Sequence, residues 1–149
     1  MVKSVEKTVL ILGANSDVAK SAIKLYVEKN YRVVAASRNT SELRAFALKE
    51  LNDEGAIEIV YFDAADFASH QAFYNNLSEK PHIVLYAAGF LKNNEIALQD
   101  WEGSFQMMKV HYCGAVSILN IIAMDKENNR LERIIEWPRC TTTRTQTSA

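Results

Sequence analysis

Cysteine is scarce in this sequence, with two in 149 residues. Cys113 falls in an apolar helical pattern and Cys140 in a polar tail, a distribution that builds neither a disulfide framework nor a metal cluster. Two ordinary free thiols and no metal site are expected. Net charge is nearly absent as well: 17 Lys and Arg against 18 Asp and Glu leave −1. The basic residues are spread along the chain, so the electrostatic footprint of a dedicated nucleic-acid binder is missing. The apolar run near the N-terminus, Thr8 to Leu12, is too short for a signal-peptide core or a membrane span. A cytoplasmic protein without nucleic-acid or membrane partners is the expectation.

What is present is apolar surface in alternating blocks. Hydrophobic residues make up 48% of the chain, enough for one real core in a single domain. Thr8-Val9-Leu10-Ile11-Leu12 is a continuous run closed by Gly13, the pattern of a strand buried on both faces of a parallel sheet. From Ser16 to Asn30, Val18, Ala22, Leu25 and Tyr26 recur at helical spacing, with Asn30 as a stop. The alternation then repeats: a strand over 31–37, a helix over about 41–52, a strand over 57–62, a helix over 69–77, and a strand over 83–87 introduced by Pro81. A long helix over 101–124 and a fifth short strand over 131–135 follow. Five such alternations predict an α/β Rossmann fold, a doubly wound parallel sheet of about five strands, incomplete on its C-terminal side. The expected domain is 1–136. A threonine-rich stretch without apolar periodicity, 137–149, should be a loose polar tail.

In such sheets ligands bind at the carboxyl ends of the strands, so the residues just after each strand are the informative ones. Gly13 permits a tight turn, and the helix that follows offers unpaired N–H groups and the positive end of its dipole to a pyrophosphate. The strict G-x-G-x-x-G fingerprint is absent, since Asp17 and Ala19 stand where related loops often carry glycine. Asp17 also suits ordinary capping at a helix start, and its carboxylate would repel phosphate unless turned away. After the second strand comes Ser37-Arg38-Asn39, with no acid to accept a ribose 2′-hydroxyl. The Arg38 guanidinium would instead pair with a 2′-phosphate, which favours NADP over NAD. It also speaks against a methyltransferase-like domain, which needs an acid there for a ribose diol.

Taken in order, Leu12-Gly13-Ala14-Asn15-Ser16-Asp17-Val18-Ala19, Ser37-Arg38-Asn39, Phe62-Asp63-Ala64 and Tyr86-Ala87-Ala88-Gly89 resemble the motifs of the short-chain dehydrogenase/reductase family. The family's first motif is usually T-G-x-x-x-G-x-G, and only Gly13 matches its glycines outright. The resemblance implies phosphate contacts from Gly13, Asn15, Ser16, Asp17 and Val18, with Ala19 small enough for close helix–strand approach. It implies that Arg38 holds the 2′-phosphate, that Asp63 accepts a hydrogen bond from the adenine amino group and that Ala64 packs beside the ring. A turn or cap aspartate is the structural alternative for Asp63. Ala87, Ala88 and Gly89 would let the backbone pass close to the nicotinamide ribose, although the two asparagines of the family's N-N-A-G are replaced. His111 stands where the family has an asparagine that acts through a water, and a half-buried structural histidine is the competing reading.

The family's catalytic serine and its Y-x-x-x-K are not seen here, and no tyrosine stands four residues before a lysine. Catalytic residues are therefore expected to be absent, and the change of character after Ile135 suggests a truncated or frame-shifted product whose fifth strand is an exposed edge. The resemblance implies an NADP(H)-dependent oxidoreductase acting on a small-molecule carbonyl or hydroxyl substrate in longer relatives. A non-enzymatic NADP-binding or regulatory module is the alternative. It also implies homo-oligomers formed through the helix over 101–124.

Overall fold

A computed structural model describes residues 6–89 and 99–137. The tail expected over 137–149 lies outside the described residues except for Trp137, and so does Cys140. Five strands, β1 (Thr8–Leu12), β2 (Arg32–Ser37), β3 (Glu58–Tyr61), β4 (Ile83–Tyr86) and β5 (Arg133–Glu136), form one parallel sheet in the order β3-β2-β1-β4-β5. The chain builds outward from β1 to β3, then crosses to the other side of β1 for β4. The strand order thus reverses between β1 and β4, the place where doubly wound sheets open a crevice.

β1 is buried at every residue because both faces of the sheet are covered. Successive side chains point to opposite faces, so Val9 and Ile11 join Val33, Ala35 and Leu85 in one core, while Leu10 and Leu12 join Val34, Ala36, Val84 and Tyr86 in the other. The first core is closed by α1 (Asp17–Glu28) and α2 (Thr40–Glu50), through Ala19, Ile23, Leu43, Phe46 and Ala47. The second is closed by α3 (His70–Asn75) and the C-terminal half of the long helix, through Tyr74, Ala115, Ile118 and Ile122.

Helix ends follow local chemistry. Ser16 caps α1 by accepting the Ala19 N–H at 3.2 Å, a bond of the kind that contributes about 1 kcal/mol. Asn30 stops the helix in the left-handed region at φ +60, as its small polar side chain allows. The long helix is not continuous. α4 (Trp101–Met108) passes through one π turn (Lys109–Cys113) into α5 (Gly114–Met124). Two contacts meet the chain at this turn: the Tyr86 hydroxyl of β4 donates to the Val110 carbonyl, and Gly114 lies against the Ala64 carbonyl of the loop after β3. By length and composition the stretch Trp101–Met124 could cross a membrane, yet one face of α5 is packed on the sheet. β5 is an outer strand with Ile134 and Ile135 half-buried, and no described residue pairs with its free side.

Candidate functional site

At the carboxyl ends of the first four strands the loops enclose a cleft of about 330 Å³. Gly13, Asn15 and Ser16 line it from the loop after β1, Arg38 from the loop after β2, Asp63 and Ala64 from that after β3, and Ala87, Ala88 and Gly89 from that after β4. Nine residues singled out by the sequence thus meet in one place. Asp17 and Val18, the first residues of α1, are not among those lining the cleft, and Asp17 borders a separate surface groove between α1 and α2.

The first loop is pinned to its neighbours. Gly13 and Ala14 donate N–H bonds to the Ala36 carbonyl, and Ala87 donates to that of Leu12 at 2.7 Å. Gly13 has φ +79, and a Cβ there would lie 2.3 Å from the Ala88 backbone. Its lack of a side chain is therefore required by the close passage of the β1 and β4 loops as well as by the turn. The Asn15 amide donates to the Ser37 hydroxyl at 2.7 Å and the Asn39 carbonyl at 2.9 Å, tying the first loop to the segment that carries Arg38. Its Oδ1 is buried without a hydrogen-bond partner. A buried orphan acceptor costs about 1–3 kcal/mol, so the site suits a ligand that brings a donor, such as a ribose hydroxyl.

Arg38 is exposed beside the cleft and makes no ion pair with a described residue. Glu42, one turn into α2, also lines the cleft, an acid that the sequence pattern does not flag. It pairs with Lys20 at 2.9 Å, which offsets its charge. The Asp63 carboxylate accepts the Ala65 N–H at 2.9 Å, so this residue does shape its turn while lining the cleft. Ser37, Asn39, Phe62 and Val110 complete the lining. Phe62 opens the Phe62-Asp63-Ala64 motif, whereas Val110 carries no sequence signal beyond its place in an apolar pattern.

At the opposite end, Gly89 has φ +154, and a Cβ there would fall 2.2 Å from the His111 ring. His111, half-buried on the π turn, thus packs directly over the β4 loop. Tyr86, beneath it, is buried, and burial together with the Glu136 carboxylate pushes its hydroxyl above the ordinary tyrosine range, keeping it a donor. Cys113 is exposed and free, and no cluster of potential metal ligands occurs among the described residues.

A parallel sheet reversing at β1 and β4, with a glycine turn, a helix N-terminus and a cation converging on its crevice, defines a dinucleotide-type Rossmann domain. A family model for short chain dehydrogenases matches residues 7–135, and the chain belongs to that family. Serine dehydrogenase from Escherichia coli is similar at TM-score 0.71 and 19% identity, over 88% of this chain and 64% of that one. ElxO with NADP bound gives 0.75 and 16%, over 89% and 55%. A 3-oxoacyl-(acyl-carrier protein) reductase from Brucella melitensis with bound NAD gives 0.71 and 19%, over 88% and 52%. These likenesses show the fold, and the chain spans between half and two thirds of the length of those proteins. Among curated proteins none matches.

Proposed function

We propose that residues 1–136 form the cofactor-binding unit of an NADP(H)-dependent oxidoreductase. The observation that carries this is the convergence of Gly13, Ser16, Arg38, Asp63 and Gly89 on one cleft at the strand-order reversal. In this reading Gly13 and Ser16, the N-cap of α1, would hold the pyrophosphate, and Arg38 would pair with the 2′-phosphate. The orphan Asn15 Oδ1 takes the adjacent ribose hydroxyl. Asp63 would accept from the adenine amino group with Ala64 near the base, and Ala87, Ala88 and Gly89 would hold the nicotinamide ribose. A nicotinamide cofactor held there would supply hydride chemistry toward a carbonyl or hydroxyl carbon of a small-molecule substrate. Structures of relatives named with NADP support this choice, and one named with NAD shows that both occur among them.

With no Y-x-x-x-K in the sequence, this chain's residues bind and orient but include no assigned proton donor. A second reading is a non-enzymatic NADP-binding module. Cofactor binding without hydride transfer to any carbonyl panel supports it. The outer face of the long helix supports pairing with a second copy: Trp101, Phe105, Met108, Tyr112 and Val116 recur at three- and four-residue spacing and are all exposed. We place this face against protein rather than lipid, and the protein in the cytoplasm.

The deciding experiment titrates NADPH and NADH against the wild type and Arg38→Ala by nicotinamide fluorescence. The wild type should prefer NADPH by at least about tenfold, the worth of a charge-assisted phosphate contact, and the variant should lose most of that preference. Equal binding of both cofactors, untouched by the substitution, overturns the NADP assignment.

A further inference from the structure

His70 is fully buried, although it lies behind the cleft wall and outside the cleft itself. Its Nε2 lies 2.9 Å from the Asp63 carbonyl oxygen and its Nδ1 2.8 Å from the Ser117 hydroxyl of α5. A carbonyl can only accept, so Nε2 carries the proton, and in the neutral ring Nδ1 accepts from Ser117. The imidazole also stacks on Phe62, with centroids 5.0 Å apart and planes at 27°. Phe62 and Asp63 both line the cleft. One side chain therefore fixes the peptide plane after Asp63, backs the ring before it, and anchors both to a helix 47 residues away in sequence.

We infer that His70 is a positioning residue for base recognition: the Ser117–His70–Asp63 relay sets the Asp63 carboxylate where it can accept from the amino group of the cofactor's purine. The Ala65 N–H holds one carboxylate oxygen, at 2.9 Å. With the carbonyl and the carboxylate of Asp63 each tethered, the residue has one orientation toward the cleft, and preorganisation of this kind is what turns a hydrogen bond into discrimination. The inference rests on the dinucleotide reading of the cleft and adds the element that selects its base.

The test compares binding of NADPH with that of the reduced hypoxanthine analogue, in which oxygen replaces the purine amino group. The readout is nicotinamide fluorescence, without turnover. Wild type should prefer NADPH by roughly tenfold, as expected for one charge-assisted hydrogen bond. His70→Leu and Ser117→Ala should bring the ratio close to one, whereas His70→Gln, whose amide reaches toward the position of Nε2, should keep most of it. A merely structural histidine would weaken both nucleotides together and leave the ratio intact, and that result overturns the inference. Should His70→Leu fail to fold, an undiminished ratio in folded Ser117→Ala overturns it equally. A wild type that binds NADPH but shows no base preference removes the Asp63 assignment and the inference with it. Failure to bind either nucleotide strikes the dinucleotide reading itself.

Discussion

Replacing Gly114 by alanine sets two physical effects of opposite sign against each other. Gly114 has φ −63 and ψ −43, ordinary helical values that alanine shares. On helix propensity alone the substitution should stabilise the protein by about 1 kcal/mol. The surroundings say otherwise. An alanine Cβ would stand 2.5 Å from the Ala64 carbonyl oxygen and 2.8 Å from the Tyr86 hydroxyl. Ordinary carbon–oxygen contacts begin near 3.3 Å, so α5 must move away from the loop after β3 by roughly 0.5–1 Å. Overpacking of this sort costs about 1–3 kcal/mol, and disturbing the part-buried bond from Tyr86 to the Val110 carbonyl adds about 1 kcal/mol. The net expectation is a loss of about 1–3 kcal/mol, or roughly 3–10 °C in Tm for a chain of this size. Thermal unfolding and denaturant titration measure it. Because Ala64 lines the cleft, NADPH affinity should fall as well. A Tm that rises, with unchanged cofactor binding, would refute the claim that close packing of α5 on the cleft wall decides this position.

Two further outcomes are expected. Burial pushes the hydroxyls of Tyr86 and Tyr74 above the ordinary value near 10, with the Glu136 carboxylate adding to it for Tyr86 and the bond to Asp125 for Tyr74. The folded chain keeps protons that the unfolded chain releases, so stability holds below that value and falls as pH climbs through it. Urea unfolding at a series of pH values from about 8 to 11 should show this decline, and the double variant Tyr74→Phe, Tyr86→Phe should flatten it. For the helix face, Tyr112→Glu places a charge in the middle of the exposed apolar stripe. Light scattering should show the wild type associating as concentration rises and the variant remaining monomeric. A wild type that stays monomeric throughout ends the pairing proposal.

Much of the sheet was legible because its signal is local. A strand buried on both faces must be apolar at every residue, so Val9 to Leu12 and Ile83 to Tyr86 announce themselves without knowledge of their neighbours. The loops after these strands were legible for a related reason: in this topology, position in the chain fixes position in the crevice. That is how Gly13, Arg38, Asp63 and Gly89, up to 76 residues apart, could be picked out together. The π turn was not legible, because nothing in Lys109 to Cys113 demands it. The chain there meets the Tyr86 hydroxyl and the Ala64 carbonyl, groups supplied by other elements. Glu42 escaped notice for a geometric reason. Asn39 caps α2 by accepting the Glu42 N–H at 3.1 Å, and only that helix start turns an acid five residues past the strand into the cleft.

The same distinction explains why a histidine inside an unremarkable helical pattern comes to back the cleft wall. His70 gives no motif, and its burial arises only when α3 and α5 close the second core around Phe62. Once they do, α5 touches the cleft wall twice, at Gly114 against Ala64 and at Ser117 through His70 to Asp63. Val116, between those two contacts, is exposed and belongs to the apolar stripe. One helix therefore faces the cleft wall with one side and carries the surface proposed for pairing on the other. A shift of that helix large enough to relieve an added methyl at Gly114 would be felt on both sides. Substitutions in the stripe that alter association should accordingly be checked for cofactor affinity, since a rigid packed element transmits displacement across its own width.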